Sequence, residues 1–288
     1  MHISFMTVSI PLDVDTMLEI KALIQEVSME DKENYTSLLS IDELTDYHLK
    51  GFCVLAYNDE SDRLIGLATA IDRVATSDFE WSAVVLPSFR RKGIGDQLVK
   101  ELIRNLELRG AETDLAITPE TAEAGQHLLT KLGYTHDFSE RTMGANAEIT
   151  SVSNDIKIIP YKDEESAVIE VLVSAFGDTE EEARELIAFN TITPNRQLIV
   201  ALMDNNVVGT VSLVDDSDKL WVTGLAVHER ARGLGVATAL LNWSKNEAYL
   251  LGKTFVYLDV ETDNETALSI YMKAGFQTIQ HTHFYRKG

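Results

Sequence analysis

Two arginines and two glycines crowd into one turn of a chain that is otherwise acidic. Residues 227–241 read VHERARGLGVATALL, and Arg232, Gly233, Leu234, Gly235, Val236 and Ala237 stand between an apolar strand ending at Val227 and an apolar helix. The first backbone N–H groups of a helix have no internal partner, and the helix dipole adds partial positive charge there. Glycines at 233 and 235 remove the Cβ atoms that would hold a phosphate off the backbone, while Arg232 supplies a charged donor. These residue types at this spacing predict a phosphate cradle. A Walker loop is excluded because G-x-x-x-x-G-K-[ST] is absent, and the dinucleotide fingerprint G-x-G-x-x-G fails at Thr238.

The turn occurs twice. VLPSFRRKGIGDQLV at 85–99 aligns with 227–241 without a gap, so that Val85 meets Val227, Arg90 meets Arg232 and Gly93 meets Gly235. KLGY at 131–134 meets KAGF at 273–276 with the same offset of 142 residues, and two separated landmarks in one register mark a tandem duplication. For the same kind of anion the first copy offers Arg90, Arg91 and Lys92 with the backbone of Gly93, Ile94 and Gly95.

The shared pattern R-x-x-G-x-[GA], placed after a strand ending in valine, resembles the pyrophosphate-binding motif of the GCN5-related N-acetyltransferase (GNAT) family. VETDNETALSIYMKAGF at 260–276 resembles that family's closing signature, with Asn264, Ala267, Tyr271 and Gly275-Phe276 at the usual spacing. The resemblance covers essentially the whole chain as two domains. It implies acetyl-coenzyme A as co-substrate and no metal, with the pyrophosphate on the amides of 233–237 and Asn264 beside the cofactor. It further implies that the N–H of Val227 polarises the acyl carbonyl and that Tyr271 protonates the leaving thiolate. A phenol of ordinary pKa about 10 is available as an acid at pH 7.

The activity so implied is direct transfer of an acyl group, in the first instance acetyl, to a primary amine in the second copy. The acceptor is a small molecule or a peptide. The alternative is an acyl-coenzyme A-binding regulatory or scaffolding protein without turnover. In the first copy Leu129 replaces Tyr271, Ala122 replaces Asn264 and Gly125 replaces Ala267, so that copy is expected to be degenerate. Its Glu80 stands where some family members carry a general base, and Val222 takes that place in the second copy. Ordered water is the alternative there, with Asp215, Asp216, Asp218 and His228 nearby in sequence, and the sequence leaves the choice of base open.

These motifs need a scaffold, and the pattern supplies one twice. The first copy predicts strands at Ile3–Ile10, Gly51–Tyr57, Leu64–Ile71 and Phe79–Val85, a helix at 94–108, a strand near Leu115 and a helix near 120–132. The second predicts a strand at Ile156–Ile159, helices at Glu164–Phe176 and Glu180–Phe189, a hairpin about Asn205-Asn206, and strand 219–227 before the turn. A helix to about Leu250, strand TFVYLDV, a helix from Asn264 to Lys273 and a last strand from Gly275 follow. Strands first, then alternation with helices, make an α/β protein of mixed α+β character. The expectation is two tandem GNAT-like domains at 1–146 and 155–288, each a mixed, mostly antiparallel sheet flanked by helices, joined by the polar stretch 144–154.

Charge limits the partners. With 46 Asp and Glu against 25 Lys and Arg, the formal net charge is −21. The imbalance is 25 acidic to 13 basic residues in 1–146 and 21 to 12 in 147–288, so neither half offers the basic footprint that nucleic acid or an anionic membrane requires. A cationic amine is the acceptor such a surface attracts. No apolar run approaches a membrane span and no leader-like segment opens the chain, which predicts a soluble cytoplasmic protein; monomer and homodimer stay open. Cys53, alone of its kind, excludes an internal disulfide and reads as a buried strand residue. His281 and His283 share a strand face without a third ligand at metal spacing, so structural roles are expected for both.

Overall fold

The computed structural model describes residues 2–73 and 75–287. In chain order the elements of the first copy are β1 (Ile3–Ser9), α1 (Val14–Asp31), α2 (Tyr35–Leu38), β2 (Lys50–Asn58), β3 (Arg63–Asp72), β4 (Asp78–Val85), α3 (Ile94–Leu108), β5 (Thr113–Pro119), α4 (Glu123–Lys131) and β6 (Tyr134–Asn146). Those of the second are β7 (Lys157–Pro160), α5 (Glu165–Phe176), α6 (Glu180–Ile192), β8 (Arg196–Met203), β9 (Asn206–Asp216), β10 (Lys219–Val227), α7 (Val236–Leu250), β11 (Phe255–Glu261), α8 (Glu265–Lys273) and β12 (Gln277–Lys287).

The chain forms two compact units, Met1–Ser139 with Gln280–Gly288, and Glu140–Ile279. This division differs from 1–146 and 155–288 because a strand's own alternation does not name its neighbour. In the first unit β1 to β5 form a sheet in chain order, and the strand beside β5 is β12, antiparallel, with Phe284 opposite Ile117. In the second unit the order β11-β10-β9-β8-β7 is continued beyond β11 by residues 140–146 of β6, with Met143 opposite Leu258. Residues 144–146, expected in the linker, are therefore strand.

Local chemistry explains the main helices. Asp13 caps α1 by accepting from the Thr16 N–H at 2.9 Å, and Met17, Ile20, Leu23, Ile24 and Val27 fall on one buried stripe. Thr179 and Glu182 form a reciprocal capping box at the start of α6. Helix α7 buries Val236, Ala239, Leu240, Leu241 and Ala248 against Val256, Leu258 and Val260 of β11. Full burial of a leucine such as Leu240 contributes about 1.5–3 kcal/mol, so this contact fixes the helix whose first turn carries the glycines. No described helix is long and apolar enough to cross a membrane.

Candidate active site

In the second unit a cleft opens where β10 and β11 separate. The two strands run parallel and pair only from Lys219 opposite Phe255 to Trp221 opposite Tyr257. Past Trp221 the register with β9 shifts between Thr223 and Ala226, in a segment that holds Gly224 at φ +57°. A bulge bends and twists its strand, which carries the end of β10 away from β11. The opening is about 980 Å³, the upper end of the range for ligand sites. Gly224, Leu225, Val227, Arg232, Gly233, Gly235, Val236, Ala237, Asn264 and Tyr271 all border it.

The backbone on one side is a set of unused donors. His228 donates its N–H to the Val208 carbonyl at 2.9 Å, and successive amides of a strand point opposite ways, so the Val227 N–H faces the opened side. Gly233 and Gly235 have φ of +78° and +82°, and a Cβ on either would meet no protein atom within 4 Å, because the space beside them is the cleft. Among the described residues nothing accepts from the N–H of Gly235, Val236 or Ala237, and the helix ladder starts with the Ala239 N–H to the Gly235 carbonyl. Arg232 is exposed, with Nη2 donating to the Ser174 carbonyl at 3.2 Å. Leu234 stands apart: it does not border the cleft, its side chain faces solvent, and its N–H turns back to the Ala231 carbonyl.

Helix α8 is anchored at both ends. Asn264 caps it by accepting from the Ala267 N–H at 3.1 Å, and the buried Lys245 ammonium donates to the Ala274 carbonyl at 3.0 Å. Tyr271, seven residues on from Asn264, lies on the cleft with Phe276 beside it. Burial pushes its phenol above the ordinary tyrosine pKa, so it holds its proton at neutral pH.

The opposite wall is acidic, a feature the sequence reading missed. Asp259 and Glu261 on β11 lie on one face with Thr142 and Glu140 of β6 directly across from them, and all three carboxylates border the cleft. Asp259 accepts from the Thr142 hydroxyl at 2.7 Å. Although open to the cleft, its carboxyl is pushed above the ordinary aspartate range because the surrounding protein withholds water, against the lowering effect of Thr142. The available signal was on the outward face of FVYLDVE, where Phe255 and Tyr257 give way to Asp259 and Glu261 while Val256, Leu258 and Val260 face the core. The base candidates near β10 lie elsewhere. Asp215 pairs with Lys253 at 2.5 Å, the His228 ring accepts from the Arg230 N–H, and neither they nor Asp216 and Asp218 border the cleft.

The first unit uses the corresponding residues differently. The Arg90 guanidinium is bound to both oxygens of Asp31 at 2.9 and 2.6 Å and to the Val85 carbonyl at 2.8 Å. Partial burial pushes the Asp31 carboxyl up, but the bonds from Arg90 and Tyr35 outweigh it and hold it below the usual range. Lys92 donates to the Ser88 carbonyl and lies over the Phe89 ring, while Arg91 is exposed with φ +62°. Gly93, at φ +82°, precedes a helix that buries Ile94, and Gly95 lies within ordinary contact of Val85 and Leu128. The first turn of that helix carries Asp96, tied to Lys100 and Lys131 at the end where an anion would bind. Strand β4 keeps regular register with β3 from Glu80 to Val85, Leu129 is buried, and Glu80 is paired with Arg73 at 2.8 Å. His281 pairs with Glu120 and His283 with Ser139, and among the described residues no group of three or more potential ligands could hold a metal.

The architecture and the glycine turn agree with one family. The model of the acetyltransferase (GNAT) family matches residues 19–134 and again 165–276, and the chain belongs to that family as a tandem of two copies. Acyl-coenzyme A-dependent N-acyl transfer, with acetyl-coenzyme A as co-substrate, is the general activity of the family. Among solved structures the chain is similar to a GCN5-related N-acetyltransferase from Sphaerobacter thermophilus, with TM-score 0.75, 21% identity, and 98% of this chain and 95% of that one covered. It is also similar to a tandem GNAT protein from the clavulanic acid biosynthesis pathway, with TM-score 0.69 and 14% identity over 99% and 98% of the two chains. A further likeness is to an acetyltransferase of the GNAT family from Colwellia psychrerythraea, with TM-score 0.58, 13% identity, and coverage of 99% and 100%. At these identities the likeness is one of fold.

Proposed function

We propose that the second unit transfers an acetyl group from acetyl-coenzyme A directly to a primary amine, and that the first unit does not. The observation that carries this reading is the cleft itself. It gathers Arg232, the open backbone of Gly233 and of 235–237, the Val227 N–H and the Tyr271 phenol around one separation of two strands. The unpaired amides at the start of α7 and Arg232 hold the pyrophosphate. Val227 donates to the thioester oxygen as negative charge grows on it, an interaction stronger in the transition state than in the ground state. Tyr271, kept protonated by burial, supplies the proton that the departing thiolate needs. The acidic wall and the net charge of −21 favour a cationic amine acceptor, small or peptidic.

The test is thiol release from acetyl-coenzyme A with a panel of polyamines, aminoglycosides, amino acids and peptide N-termini. Turnover on any amine that requires Gly235 supports the enzyme. Tight acetyl-coenzyme A binding by calorimetry with no turnover across the panel would instead favour a regulatory or scaffolding role.

A further inference from the structure

An amine that reaches the site as an ammonium cannot attack until a group there takes its proton. We propose that Asp259 is the general base of this reaction, accepting the proton from the acceptor ammonium. The inference rests on the functional reading just given.

The placement follows from the strand fork. Tyr257 is the last residue of β11 paired with β10, and Asp259 lies two residues further, about 7 Å along the strand at the usual rise. That brings it level with Thr223 and the bulge at Gly224, where β10 begins to leave and the wall turns toward Val227. Asp259 therefore borders the same cleft as Leu225, Val227 and Tyr271. Thr142, across the ladder on β6, donates to its carboxylate and fixes it without occupying every lone pair. Glu261 and Glu140 continue the same face as a second anionic patch for an incoming cation, and Asp263, Lys273 and Arg232 are the other charged groups on the cleft. Asp215, Asp216, Asp218 and His228 do not border it. Desolvation, which raises the proton affinity of the Asp259 carboxyl, moves it toward the range in which a base works at neutral pH.

The proton balance closes. One proton passes from the ammonium nitrogen to an Asp259 carboxylate oxygen and from there to solvent. The freed nitrogen lone pair forms a bond to the thioester carbon, and the carbon–sulfur bond breaks with its electron pair on sulfur. The sulfur takes the proton of the Tyr271 phenol, and the phenolate is restored by the second proton that the nitrogen loses on becoming an amide. The net products are the N-acetyl amide, free coenzyme A and one proton.

Asp259→Asn and Asp259→Glu are compared with wild type using a series of acceptor amines of graded pKa. Asp259→Asn should lower kcat/KM by about 100-fold or more for amines protonated at the assay pH, the scale of a lost general base. The Kd for acetyl-coenzyme A by calorimetry and the melting temperature should not change. The defect should shrink for amines of low pKa, which arrive neutral, and Asp259→Glu should recover part of the rate. The acidic limb of the kcat/KM profile should be lost in Asp259→Asn. Turnover within threefold of wild type, or a loss equal for all amines, would overturn the assignment of the base while leaving the acetyltransferase in place. Absence of thiol release by wild type across the series would overturn the functional reading and the base with it.

Discussion

The turns at 90–95 and 232–237 descend from one pattern, yet only the second leaves the arginine that heads it free of a carboxylate partner. In the first unit Arg90 is neutralised by Asp31, a residue 59 positions earlier in the chain, and Asp96 brings another carboxylate to the helix start. In the second, Arg232 rests on one carbonyl and no acidic residue stands in the first turn of α7, although the glycine before each helix, Gly93 or Gly235, has the same φ and the same open space beside it. The neighbouring strand differs as well, regular in β4 and bulged in β10. What a turn can offer an anion therefore depends on which of its groups its own fold has already used, and the motif alone does not record that.

The sharpest way to break this comparison is Gly235→Val. A branched residue at φ +82° is strained, and its side chain would project into the space left for phosphate, so turnover should fall by about 100-fold or more, the cost of misplacing a substrate by about an ångström. Thiol release and calorimetry read this directly. Tyr271→Phe comes next, with kcat lowered by about 10- to 1000-fold and acetyl-coenzyme A affinity retained. Because burial raises the Tyr271 pKa, the alkaline limb of wild-type activity should begin only as pH rises past the ordinary tyrosine value and through the raised one.

Smaller effects probe the first unit. Asp31→Asn should cost about 1 kcal/mol, seen as a melting temperature lower by about 2–4 °C, without adding a second acetyl-coenzyme A site to the titration. The Asp31 carboxyl is held below its ordinary value, so its contribution is fully present above about pH 4, the unfolded value, and is lost as pH falls through the lower folded one. The melting difference between variant and wild type should narrow only in that acid window. Gly93→Val should leave turnover within about twofold, since the first unit's turn takes no part in it. If Gly93→Val abolished transfer in a protein of unchanged melting temperature, the division of labour between the units would be reversed and Glu80 would be the next residue to replace.

What was legible in the sequence was local. The glycine turn, the capping residues and the order of strands and helices are written over short spans, and the offset of 142 exposed the duplication without any structure. Pairings over long spans were not legible. Nothing in HTHFYRK says that it pairs with β5, and nothing near Arg90 announces Asp31. Asp259 escaped for a related reason: a carboxylate on a strand becomes part of a site only where the neighbouring strand turns away, and the bulge that turns β10 is a property of two ladders rather than of one segment.

The placement of β12 in the first unit has a consequence for synthesis. Residues 280–287 form the ladder beside β5, so the first unit, although nearly all of it leaves the ribosome early, keeps an unpaired strand edge until the last stretch of the second copy has been made. A gene cut between the repeats would separate each copy from a strand its own unit requires. The duplicated message thus encodes units that are interdependent in assembly, and sequence drift in the first copy is constrained by folding whatever its turn binds.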